Sequence, residues 1–231
     1  THATWRAGAR YTLQGAGTIL RGNVGTGFRA PTISDLYFPG AENPDLQPEQ
    51  STGWDLGLEQ PLLGGLMQVG AAWFHNDFDN MSVWSSSSFR MENVAEAETA
   101  GLEVFLKWLP SANLAVDGSY TWLPTAENLT TGDRLIRRPE HFGTIAAHYR
   151  FPSWVVFDTS AQISGSAADS AFAADYSTKD VTNDGYVKWD AGVTVTPWKH
   201  VSLLARVENL LDSEYEEAYG YPALGRVFWG G

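Results

Sequence analysis

Cysteine is absent from the 231 residues, so disulfides and thiolate metal sites are excluded, which suits an oxidising envelope compartment without requiring one. Long apolar runs are missing too. No window approaches the roughly eighteen uninterrupted apolar residues of a membrane-spanning helix, so a helical membrane protein is excluded. Basic residues are scarce: 15 Lys and Arg stand against 27 Asp and Glu, giving a formal net charge of -12. They are scattered, whereas nucleic-acid phosphates call for clustered Lys and Arg, so no nucleic-acid partner is expected. The opening stretch THATWRAGARYTLQ lacks a basic segment followed by an apolar core, so no signal peptide is expected in it. The chain reads as cytosolic or as lacking its beginning. Gly-x-Ser-x-Gly, HExxH and phosphate-loop patterns are also absent, and no enzyme is expected.

What is present is aromatic and alternating. Ten Trp, nine Tyr and eleven Phe occur, and 43% of residues are apolar. In the segment from Val187 to Thr196, apolar residues hold the odd positions, while polar residues or glycine hold the even ones. That period of two gives a strand one greasy and one wet face. The same alternation runs from Leu114 to Trp122, from Val155 to Ser164 and from Leu102 to Trp108, with Phe105 and Val156 as imperfections. About eleven such segments begin near Trp5, Thr18, Thr52, Met67, Ala100, Leu114, Phe142, Val155, Tyr186, Val201 and Arg226. At roughly ten residues each they suit tilted membrane-crossing strands better than ordinary globular ones.

The connections alternate between short and long. LQGAGT, QPLLGG, LPSAN, RFPSW and TPWKH are short and rich in turn residues. Between them lie long polar stretches: residues 27–50, then HNDFDNMSVWSSSSFRMENVAEAE, LPTAENLTTGDRLIRRPE, GSAADSAFAADYSTKDVTNDG and LDSEYEEAYGYPALG. Long loops are uncommon in compact domains, but short inner turns and long outside loops are the rule in outer-membrane barrels. Trp108, Phe151, Trp154 and Trp198 sit beside short turns, and Trp73, Tyr120, Trp122, Tyr186 and Trp189 toward the long loops, as two interfacial girdles would place them. The expected fold is all-β, an antiparallel transmembrane β-barrel. Eleven strands is an odd number, and an open sheet leaves unpaired edges in lipid. The chain is therefore expected to form half of a 22-stranded barrel in contact with outer-membrane lipid.

Several motifs carry a family resemblance. Gly25 to Thr32, containing Phe28, Arg29 and Pro31, precedes Asn43, Pro44, Asp45, Leu46, Gln47, Pro48 and Glu49. Further on come Asn93-Val94-Ala95, Gly101-Leu102-Glu103 and Arg138-Pro139-Glu140-His141. The closing pattern is Arg206 to Asp212, with Asn209, then Tyr215-Glu216, Tyr219 to Pro222, and Gly225-Arg226. Together these resemble the FRAP, NPxLxPE and RVENLFD…GYPxPGR boxes of TonB-dependent outer-membrane receptors, over essentially the whole chain and most nearly the cobalamin receptors. The chain departs from the family ending, an aromatic-terminated strand, by stopping at Gly230-Gly231. The resemblance implies that residues 1–231 are the C-terminal part of the receptor barrel, without plug, energy-coupling box or N-terminal strands. It also implies active uptake of a scarce small-molecule nutrient in the bacterial outer membrane, driven by the TonB complex through the absent plug, with no cofactor. Cobalamin is the expected cargo. A ferric siderophore is the alternative, and a passive porin a more distant one.

Candidate site residues follow from the loops. Tyr37, Phe38, Trp84, Phe89, Tyr176, Tyr219 and Tyr221 either line a ligand site, as rigid amphipathic rings do, or pack the loops. Arg134, Arg137 and Arg138 either meet anionic ligands such as ferric catecholates or, the favoured reading, contact lipopolysaccharide phosphates or lumen carboxylates. Arg29 is expected to pair with Asp35 or Glu49. No His lies between Thr32 and Glu42, which lowers a haem reading. His75, His141 and His148 are dispersed and read as satisfied polar residues. The segment Asp180 to Gly185 lacks calcium-loop spacing and reads as a turn; no metal site is expected.

Overall fold

The computed structural model describes residues 3–85, 88–151, 154–173 and 178–231. The elements run β1 (Arg6–Thr12), β2 (Ile19–Arg29), α1 (Ile33–Tyr37), β3 (Glu49–Leu62), β4 (Met67–Ser85), β5 (Arg90–Ser111), β6 (Leu114–Asn128), β7 (His141–Arg150) and β8 (Val155–Ser164). There follow β9 (Ala167–Phe172), β10 (Thr178–Asn183), β11 (Tyr186–Trp198), β12 (Val201–Glu208), β13 (Glu216–Ala218), β14 (Tyr221–Pro222) and β15 (Val227–Gly230). Among the described residues, eleven strands form one antiparallel sheet in the order β1-β2-β3-β4-β5-β6-β7-β8-β11-β12-β15. The sheet is open, with β1 and β15 as its edges. The pairs β9-β10 and β13-β14 are separate small hairpins.

Burial is inverted relative to a water-soluble domain. In β3 the exposed positions include Trp54, Leu56, Leu58 and Leu62, while Glu49, Ser51, Asp55 and Glu59 are half-buried on the opposite face. One row of register partners crosses the sheet as Leu20, Leu58, Ala71, Val104, Tyr120, Gly143, Ile163 and Val187. The row one residue away reads Ile19, Glu59, Gly70, Phe105, Ser119, Thr144, Gln162 and Lys188. A single step along the strands exchanges a greasy surface for a largely polar one, because side chains alternate faces. Buried apolar residues among those described are only Leu46, Ala72, Ala97, Ala100, Ala126 and Val155. The accessible area is 14815 Å², against about 10,000 Å² for a compact monomer of this mass. The sheet buries no core of its own, so its apolar face is built for lipid and its polar face for a lumen.

The polar face is stitched by pairs both across and along its strands. Asn23 donates to both carboxylate oxygens of Asp55 at 3.1 and 3.0 Å. Arg206 reaches Asp190 at 3.4 Å and Glu208 at 3.3 Å, and Lys188 reaches Asp190 at 3.5 Å. His148 and Asp158 lie 2.5 Å apart. Phe105, which breaks the alternation, has a physical reason: its ring lies over Gly70, where any side chain would collide with it. Phe74 lies in the same way over Gly101.

The expected short turns occur among the described residues, RFPSW lying partly outside them at 152–153, but the long connections are more ordered than the sequence suggests. Strands of about ten residues do not describe β4 and β5, which run to 19 and 22 residues. The stretch expected as a loop after His75 is largely their continuation as a projecting hairpin. On β4 the outer face passes from Ala71 and Trp73 to His75, Asp77 and Asp79, so the apolar band ends at Trp73 and the hairpin continues beyond it. The segment Asp180 to Gly185 is likewise not simply a turn: its first four residues belong to β10, in register with β9, and only Asp184 and Gly185 connect to β11. Cross-strand pairing satisfies backbone groups that a loop of this length would leave to water.

Candidate ligand-binding site

At the long-connection end the loops gather into two groups, and the sequence motifs are the fasteners. In the first, Thr32 caps α1 in a reciprocal box with Asp35, so the chain turns directly after Arg29 leaves β2. Arg29 donates to Glu49 at 2.6 Å and lies 3.8 Å from Asp35. Glu49 also accepts from the Ser82 amide at 2.9 Å, tying the loop base to β4. Asn43 is buried and donates to the Met91 carbonyl at 2.7 Å, while Asn93 exchanges bonds with the Gln47 backbone at 2.8 and 3.0 Å. The buried Leu46 completes the seam. Phe28, Pro31, Pro44 and Pro48 lie along this same path. Thus Arg29, Asn43 and Glu49 dock the loop onto the β4-β5 hairpin. Tyr37 and Phe38 end up exposed on α1 and its C-terminal flank, and Trp84 and Phe89 exposed near the hairpin tip. Asn43→Ala is expected to cost about 1–3 kcal/mol, the penalty for stripping partners from buried polar groups. Limited proteolysis checks it: cleavage within residues 33–47 is expected to accelerate while the barrel strands stay resistant.

The second group comprises the 129–140 connection, the β9-β10 hairpin and the segment from Asn209 to Arg226. Asn209 is 1% exposed and has a positive φ of 52°, a conformation that asparagine tolerates. It exchanges hydrogen bonds with the Ser213 backbone at 2.9 Å and donates to the Leu224 carbonyl at 3.3 Å. Asp212 accepts from the Arg226 amide at 2.7 Å, and the Arg226 guanidinium donates to the Leu210 carbonyl at 3.0 Å. A side chain at Gly225 would meet Asp212. The closing motif therefore folds its own loop back to β15.

Asp169 on β9 joins these loops and was not legible in the sequence. Its carboxylate is fully buried. It accepts from Arg137 Nε at 3.0 Å, the Ser170 amide at 2.8 Å, Asn183 Nδ2 at 2.9 Å and the Tyr219 amide at 2.8 Å. Burial pushes its pKa up, but the Tyr219 and Ser170 amides, the Asn183 amide group and the Arg137 guanidinium outweigh that and hold it below the ordinary aspartate value. Arg134, by contrast, is taken up by the carbonyls of Leu123, Pro124 and Arg138 at 2.7, 3.1 and 3.4 Å.

Two cavities lie among these loops, of about 550 and 540 Å³, within the size range of small-molecule sites. Arg137, Arg138, Phe142, Gln162, Tyr186 and Glu217 contribute to the first, and Glu214, Tyr215, Tyr219 and Pro222 to the second. Asn183, Asp184 and Glu216 form the wall common to both. Tyr186 and Tyr215 stack at 4.0 Å beside them, and Tyr186 donates to Glu217 at 2.9 Å. Of the residues expected from sequence, Arg137, Arg138 and Tyr219 are brought together here, whereas Tyr221 is exposed on β14 and Tyr176 lies outside the described residues. Tyr37, Phe38, Trp84 and Phe89 belong to the first group. Among the described residues no set of three or more His, Asp or Glu converges as a metal site, and His75, His141 and His148 are engaged by Asp77, Tyr120 and Asp158. The chemistry on offer is noncovalent capture by carboxylates, amides and aromatic rings.

Comparison with known proteins agrees with this architecture. Residues 1–210 match the family described as TonB dependent receptor-like, beta-barrel. The chain is 28% identical over 236 residues to the vitamin B12 transporter BtuB of Photobacterium profundum, covering 99% of this chain and 37% of that protein. Its fold resembles the siderophore receptor PirA of Acinetobacter baumannii, with TM-score 0.80 and 17% identity, covering 98% of this chain and 40% of the other. It also resembles a variant of the ferric enterobactin receptor PfeA of Pseudomonas aeruginosa, with TM-score 0.80 and 18% identity, covering 98% and 39%. The chain thus spans well under half the length of these relatives. The family consists of bacterial outer-membrane receptors and not of enzymes. The lipid-ready outer face, the polar lumen face, the docked outside loops and the family match lead to one conclusion: this chain belongs to the TonB-dependent receptor β-barrel family.

Proposed function

We propose that residues 1–231 form the C-terminal half of a 22-stranded barrel in a receptor that imports cobalamin, energised by TonB through a plug contributed by the rest of the protein. The observation that carries the cargo assignment is the charge of the outside cavities. Asp184, Glu214, Glu216 and Glu217 line them against Arg137 and Arg138, and Arg137 is already engaged by Asp169. A multiply anionic ferric catecholate would meet repulsion there, whereas cobalamin is neutral or cationic at its metal centre and carries peripheral carboxamides that donate to carboxylates. The sequence similarity to a vitamin B12 transporter supports the same reading.

Ferric-siderophore import is the second reading. It is favoured by Arg138, which lines the larger cavity and makes no ion pair among the described residues. Titration of the full-length receptor with cyanocobalamin and with a ferric tris-catecholate separates the two. Tighter binding of cyanocobalamin is expected, weakening little with added salt; the reverse order would remove cobalamin as the cargo.

A further inference from the structure

Three loops far apart in sequence meet at one carboxylate. Asp169 on β9 takes the Arg137 guanidinium from the β6-β7 connection, the Asn183 amide from β10 and the Tyr219 backbone amide from the β13-β14 hairpin. Arg137 adds a backbone bond, donating its amide to the Ala168 carbonyl at 2.7 Å, with a positive φ of 56°. The grip is maintained at a local cost. Asn183 turns its Nδ2 toward Asp169, since the opposite orientation would aim oxygen at oxygen. Its Oδ1 is buried with no partner among the described residues, an arrangement that costs stability unless another contact requires it. Asn183 also stands in the wall shared by the two cavities, and Arg137 and Tyr219 each line one of them.

We infer that Asp169 is a positioning residue for the outside binding site: it holds the three loops as one unit and so sets the shape of both cavities before ligand arrives. The inference rests on this end being the ligand-binding end. An orienting carboxylate lowers the ordering cost that a ligand would otherwise meet on binding. The unit is built to shift together, because Arg137, Asn183 and Tyr219 share no other hub among the described residues.

The test is hydrogen exchange by mass spectrometry on the full-length receptor, ligand-free, as wild type, Asp169→Asn and Arg137→Gln. Asp169→Asn is expected to raise exchange in parallel in residues 134–140, 178–184 and 215–222 while the strands of the large sheet stay protected. Arg137→Gln, a milder change, is expected to loosen 134–140 most and leave 215–222 nearly as protected as in wild type. Cyanocobalamin affinity of Asp169→Asn is expected to fall by about tenfold, the scale of a lost charge-assisted contact, and saturating ligand is expected to restore protection in all three segments. That restoration distinguishes positioning from simple damage to the fold. Exchange rising only in residues 167–183 of Asp169→Asn would overturn the inference, as would unchanged affinity despite loosened loops. If wild type ignores cyanocobalamin, the cargo assignment fails by itself, and the ligand-free exchange still decides whether Asp169 couples the loops.

Discussion

Produced without the rest of the receptor proposed above, the 231-residue chain is expected to aggregate instead of yielding a stable monomer. The reason lies in its two edges and its outer face. β1 and β15 are the ends of the eleven-strand sheet, and each leaves a row of backbone donors and acceptors without a ladder. In lipid each such group costs several kcal/mol, and in water the same edges recruit other chains. The outer face adds exposed Leu20, Leu56, Leu58, Ile145, Phe157, Ile163 and Leu203, far more apolar surface than soluble monomers carry as patches. Size-exclusion chromatography with light scattering, in buffer and in detergent, checks this. Co-refolding with the remainder of the receptor is expected to give a closed barrel that resists denaturation in detergent at room temperature. A monodisperse, water-soluble monomer of the piece alone would contradict the lipid-facing assignment.

The second large effect concerns face. Leu58→Arg is expected to destabilise the assembled barrel by about 2–4 kcal/mol, the cost of an arginine on the lipid face near the bilayer midplane. Leu58 stands four positions from the end of β3 and is exposed, with Leu20 and Ala71 as register neighbours. Ser119→Arg on the lumen row, beside Thr144 at 2.7 Å, is expected to cost much less because water or polar groups meet it there. Urea titration of the two full-length variants in lipid vesicles reads the difference. Equal stabilities would contradict a lipid face at Leu58, and a larger loss for Ser119→Arg would mean that the faces have been assigned the wrong way round.

The faces were legible in the sequence because they depend on alternation. Residues such as Leu114, Val116, Tyr120 and Trp122 against Asp117, Ser119 and Thr121 state which side chains share a surface, and the alternation of short and long connections states which end is elaborate. Phe105 stays an exception to the alternation, and Gly70 beneath its ring gives the exception its physical reason. The eleven strands of the large sheet follow from that reading. The length of β4 and β5 was not legible: beyond Trp73 the outer face of β4 turns polar at His75, Asp77 and Asp79 while Phe74 and Phe78 fall on the other face, so the greasy-outside alternation ends although pairing continues from His75 and Ala100 up to Ser85 and Arg90. The β9-β10 hairpin escaped for the same reason, since alanines, serines and aspartates carry little contrast between faces.

The motif residues divide along the same line. Arg29 near Glu49 was readable, because the loop that separates them begins and ends on neighbouring strands and brings opposite charges into register. Asp169 carried no such sign, as its partners Arg137 and Tyr219 are 32 and 50 positions away and nothing in the local pattern marks it. The sequence by itself determined the strand period, the two faces, the topology of turns and the family resemblance, all of which follow from local alternation and short spacings. Tertiary structure alone decided which loops dock on which, that a buried carboxylate joins three of them, and that the cavities among them are acidic. Those contacts join residues brought together only when the sheet curves and its long connections fold over the same rim.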